Sequence, residues 1–103
     1  MKQYRKNFTI EELIILHLEN NYQNPENYFV SILLTEEGIQ SEIGCSLCYI
    51  SRILKKLEKE GYVYRKIMKI ENTKRKHYVF FLTDKGFKLA EKIREKIRIE
   101  LKV

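Results

Sequence analysis

Arg52, Lys55, Lys56 and Lys59 recur along a helical period, and at about 100° per residue they fall on one arc with Cys48. Tyr49 and Ser51 sit at the borders of that arc, while Glu58 and Glu60 lie off its centre. Ordinary surface helices mix charge signs. Four cations without an acid among them have the chemistry of polyanion binding, not of bond-making. An arginine so placed can pair with the O6 and N7 of guanine, and lysines beside it can meet phosphate. A second set, Lys74, Arg75 and Lys76, is consecutive within a polar segment and suits backbone or minor-groove contacts. For each set alone, a solvated basic face remains the alternative.

Other chemistries find little support. Cys45-Ser46-Leu47-Cys48 is a C-x-x-C at a helix N-terminus, where the dipole can lower a thiol pKa. The remaining soft ligands, His17 and His77, are remote and lack ligand spacing, so no metal is expected. Two cysteines filling small sites in the turn and helix is the plain reading; a redox switch is the alternative. No nucleophile–base–orienter set, Gly-rich phosphate loop or carboxylate pair is present, and Asp84 is the single aspartate. Neither an enzyme nor a cofactor is expected. Nothing in the sequence indicates a small-molecule effector, and nothing in it excludes one.

The 103 residues are enough for one domain with a modest core, and 44% hydrophobic with 33% charged is a globular composition. No apolar run reaches the roughly 18 residues of a membrane span, and Glu11, Glu12 and His17 interrupt the apolar N-terminal stretch. A cytoplasmic protein without a membrane partner is therefore expected. The net charge of +6 is unevenly spread. Residues 48–77 hold ten cations (Arg52, Lys55, Lys56, Lys59, Arg65, Lys66, Lys69, Lys74, Arg75, Lys76) against three acids (Glu58, Glu60, Glu71). One continuous third of the chain thus carries the excess, as in a nucleic-acid binder.

The elements that must position these side chains follow from caps and periods. Thr9 with Glu12 forms a capping box, and Ile10 to Asn20 follows helical spacing, with Ile15 and Leu16 implying burial on more than one side. Tyr28 to Leu34 is apolar and partly β-branched, as in a short strand. Thr35 caps a helix whose first turn holds Glu36 and Glu37, whose apolar face is Ile39 and Ile43, and which Gly44 stops. Ser46 caps the next, over 46–60, with Leu47, Ile50, Ile53, Leu54 and Leu57 on its core side. Two helices joined by so short a turn make a helix-turn-helix.

From Tyr62 to Ile70 and from His77 to Leu82 the period falls to about 2, predicting an antiparallel hairpin over 62–82. Thr83 caps a last helix, Asp84 to about Lys102, with Leu89, Ala90, Ile93, Ile97 and Leu101 as its apolar stripe. Nineteen helical residues run roughly 28 Å, so Leu89, Ile93, Ile97 and Leu101 are predicted to form a seam with a second copy. The fold class is mainly α with a small antiparallel hairpin: a single winged helix-turn-helix domain over 1–103, with its core in 9–90.

That order, with the stretch LTEEGIQSEIGCSLCYISRILKKLEKEGYVYRK, resembles the DNA-binding core of MarR-type and related prokaryotic and archaeal transcriptional regulators. The resemblance rests on Leu34, Thr35, Ile39, Ser51, Arg52, Leu54, Leu57, Gly61, Tyr62 and Val63, and on FLTDKG at Phe81 to Gly86. It implies a sequence-specific regulator of double-stranded DNA, which the seam of the last helix would make a homodimer. The expected DNA contacts are Ser46, Cys48, Tyr49, Ser51, Arg52, Lys55, Lys56 and Lys59 in the major groove, with Lys74, Arg75 and Lys76 on the wing. The alternatives are a winged-helix module of a larger assembly and an RNA-binding winged helix.

Overall fold

The computed structural model describes residues 8–73 and 75–102, with the side chains of the last helix as far as Lys96. Lys74 and the side chains of Ile97 and Leu101, named above, lie outside the described residues. In chain order the elements are α1 (Ile10–Asn20), β1 (Phe29–Val30), a 3-10 turn (Ile32–Leu34), α2 (Glu36–Ile43), α3 (Leu47–Lys59), β2 (Val63–Ile70), β3 (Lys76–Leu82) and α4 (Asp84–Lys102).

The capping box forms as predicted: Thr9 N–H donates to Glu12 Oε1 at 2.9 Å, and Glu12 N–H to the Thr9 hydroxyl at 3.2 Å. Ile14, Ile15 and Leu18 of α1 are buried together with Ile50, Leu54 and Leu57 of α3 and Val79 and Phe81 of β3 in one cluster. The predicted strand over 28–34 divides. Only Phe29 and Val30 form a strand, and they pair in parallel with Lys69 and Ile70. Ser31 then turns the chain, its hydroxyl accepting from Leu33 N–H at 3.1 Å. That local bond offers the backbone an alternative to the ladder. The sheet therefore has three strands, in the order β1-β2-β3, and α2 with α3 supplies the crossover that a parallel pair requires.

Two details fix the helix-turn-helix against this frame. Thr35, 2% exposed, uses its hydroxyl twice: it donates to Ile32 O at 2.6 Å and accepts from Gly38 N–H at 3.1 Å. A buried hydroxyl so satisfied costs little, and it joins the 3-10 turn to the start of α2. The same turn presses on the helix backbone, since a Cβ at Gly38 would collide with Ile32 O. At the other end, α3 closes in a Schellman motif. Tyr62 N–H donates to Leu57 O at 2.9 Å and Gly61 N–H to Glu58 O at 3.1 Å, with Gly61 at φ 83°.

The last helix docks closer to home than its sequence suggests. Arg94 and Lys96 reach Glu19 and Glu12 of α1, at 3.0 and 3.3 Å. Ile93 is 3% exposed inside the domain's own core, and Leu89 packs half-buried against it. The helix covers α1 as well as the hairpin, so Ile93 of the expected seam is covered within the domain, while Leu89 keeps part of its surface open.

Candidate nucleic-acid interface

The turn before α3 is held at both sides. Ser46 accepts from Tyr49 N–H at 3.2 Å, and the Gln40 amide donates to Cys45 O at 2.9 Å. Leu47, predicted in the core, is 43% exposed; Cys48 and Tyr49 are exposed beside it, and Ile50 is the first buried residue. The opening turn of α3 thus projects beyond the core. An apolar residue that helical phase assigns inward is left outside because, among the described residues, no element stands beneath it.

Ser46, Cys48, Tyr49, Arg52, Lys55 and Lys59 are all exposed, and Ser51 is half-buried at the border. Arg52, Lys55 and Lys59 form no ion pair among the described residues. Lys56 differs. Its ammonium lies 2.6 Å from Glu11 of α1, and that hydrogen bond, with the carboxylate's charge, raises its pKa above the ordinary lysine value. It marks the shoulder of the face, turned toward α1, and no sequence pattern signals the pairing because Glu11 is distant in the chain.

The wing stands beside this face. β2 and β3 pair antiparallel from Val63 with Leu82 to Lys69 with Lys76. At the tip Thr73 N–H donates to Ile70 O at 3.1 Å and Asn72 adopts φ 66°, leaving Arg75 and Lys76 exposed. Arg65 Nε bridges β2 to α3 through Glu58 at 3.4 Å, and its guanidinium lies 4.7 Å from the Tyr78 ring centroid. Arg65 and Lys69 were not among the residues expected to bind. Their alternation along β2, Arg65-x-Ile67-x-Lys69, is the signal that places them on one sheet face.

Both cysteines are free thiols. Cys45 packs half-buried against the core, but Cys48 is exposed on the projecting turn and fills no internal site. His17 has a structural place: its Nε2–H donates to Leu33 O at 2.7 Å, tying α1 to the 3-10 turn. His77 is half-buried on β3. Among the described residues there is no group of three or more metal-ligating side chains, and no helix is long and apolar enough to cross a membrane.

The arrangement is a winged helix, and solved structures share it. The DNA complex of MepR from S. aureus superposes with a TM-score of 0.63 at 22% identity, over 97% of this chain and 66% of MepR. A MarR family transcription regulator gives 0.64 at 20% identity, over 94% of this chain and 56% of that one. A protein from Archaeoglobus fulgidus gives 0.61 at 26% identity, over 95% and 96% of the two chains. The chain thus spans about two thirds of MepR and just over half of the MarR family regulator. No sequence-family model and no curated protein matches it.

Proposed function

We propose that this chain is a sequence-specific regulator of transcription that lays α3 in the major groove of double-stranded DNA and its wing along the backbone or minor groove. The carrying observation is the projecting opening turn of α3. It holds Ser46, Cys48 and Tyr49 clear of the core, in line with Arg52, Lys55 and Lys59. A narrow cationic ridge standing off a domain fits a groove; a flat protein partner would ask for an apolar face instead. The likeness to MepR, solved on DNA, supports the reading. Arg75 and Lys76 extend the cationic surface from the wing, and Lys74 is proposed to act with them.

The protein acts as a homodimer through the far end of α4, with Ile97 and Leu101 as the seam. Neither a cofactor nor a metal takes part. Selection of bound fragments from random duplex DNA tests the proposal. A single enriched motif, bound far more tightly than its scrambled version at equal salt, is the expected result. Recovery of no motif would reduce α3 to a nonspecific contact.

A further inference from the structure

The outer end of the sheet carries a surface that duplex binding by α3 leaves unused. Side chains alternate along a strand, so Arg65, Ile67 and Lys69 of β2 share one face. The register sets Tyr78 opposite Ile67 and Lys76 opposite Lys69. Pairing of Phe29 with Lys69 brings β1 onto the same face. Near the helices this face is covered, at Val63 and Phe80. Beyond them it opens, with Phe29 and Ile67 exposed, Tyr78 51% exposed and Tyr28 74% exposed. Lys69 donates to the Tyr28 hydroxyl at 3.0 Å and lies 4.9 Å from that ring's centroid.

Two features of this face ask for a ligand. Lys69 and Lys76 are direct cross-strand partners, an arrangement that costs stability, and among the described residues neither forms an ion pair. Glu26 lines the adjoining groove with Lys66, Lys69 and Lys76, yet forms no salt bridge to them among the described residues. Three aromatic rings also lie open to water around the two lysines. An acidic peptide would answer the cations and leave the rings bare; an apolar partner would bury ammonium groups that have no counter-ion. Only a ligand with anionic and flat apolar parts satisfies both.

We propose that this sheet face binds single-stranded nucleic acid, with bases stacked on Tyr28, Phe29 and Tyr78 and phosphates at Lys69 and Lys76. A duplex keeps its base faces stacked on one another, so it cannot use the rings. Strands about 4.8 Å apart give a platform roughly 10 Å wide, room for two or three bases. Toward the helices Glu36 and Glu37 line a pocket with Arg65 and Phe80, and Glu58 holds Arg65, so phosphates are kept to the outer rows and Tyr78 marks the inner limit for a base. The strand therefore runs across the outer rows.

Fluorescence anisotropy of the intact protein with labelled oligodeoxyuridine and oligouridine of about 12 nucleotides tests this, beside a duplex of the selected motif. Wild type should bind a single strand, and a preference between the two oligonucleotides tells whether the sugar is read. Tyr28→Ser with Tyr78→Ser should weaken single-strand binding by about fivefold or more and leave the duplex within about twofold. Arg52→Ala should do the converse, which separates this inference from the reading of α3. Lys69→Gln alone, a residue outside those assigned to the duplex, should lower single-strand binding and leave the duplex within about twofold should the tyrosine variant not fold. The idea is overturned if neither oligonucleotide binds, if the variants bind them unchanged, or if the duplex weakens equally.

Discussion

Arg52 is where a single side chain decides most. It projects from the middle of the exposed arc of α3, where its guanidinium can form two parallel bonds to one guanine. Arg52→Ala should cost about 1–3 kcal/mol on the selected motif and much less on scrambled DNA. Titrations on both duplexes at one salt concentration read this, and an equal loss on both would mean that the helix does not read sequence. Thr35 is the structural counterpart. Thr35→Val keeps the shape but leaves Gly38 N–H without its cap, so urea unfolding should show a loss of about 1–3 kcal/mol. The thiols matter less at this scale. Cys45→Ser with Cys48→Ala should bind the same duplex within a few-fold, with or without oxidant; a wild type that switches with oxidant while the variant does not would establish a redox role.

At the scale of elements, the wing and the recognition helix should fail in different ways. Arg75→Ala with Lys76→Ala removes up to two cations that can neutralise phosphates from the tip of β2 and β3. Affinity should fall almost equally for all duplexes, and the log–log salt slope should shrink by about 0.9 for each phosphate no longer neutralised. Binding measured at several salt concentrations decides it: an unchanged slope would take the tip off the DNA. The junction of the 3-10 turn with α2 is as exacting as any apolar packing. A methyl group at Gly38 meets Ile32 O, which is backbone and cannot rotate away, so Gly38→Ala should destabilise by about 1–3 kcal/mol despite the better helix propensity of alanine. A more stable variant, by chemical denaturation, would show that this packing is not tight.

For the whole molecule, the division of α4 sets both stability and assembly. Ile93 belongs to the domain's own core, so Ile93→Ala should cost about 2–5 kcal/mol of folding stability. Ile97→Glu, one turn further on, should instead convert a dimer to a folded monomer. Light scattering and thermal unfolding of both variants separate the two effects, and a monomeric wild type would refute the seam. The ion pairs of Arg94 and Lys96 with α1 are exposed and are worth little singly. They set the direction of the helix more than its strength.

Local rules carried much of this protein. The capping box, the helix caps and stops and the change of period lie within a few residues of what they control. Thr9 and Glu12, Thr35 and Gly38, Ser46 and Tyr49, and the left-handed Gly44 accordingly stand where sequence reading puts them. Charge segregation was legible for the same reason, being a property of the chain itself. Encounters between distant residues were not. The pairing of Lys56 with Glu11, the burial of Ile93 against α1, the exposure of Leu47 and the parallel addition of Phe29 and Val30 to the wing depend on which elements meet. Helical phase says which way a side chain points but not whether anything stands there to cover it. Only the tertiary packing decided that.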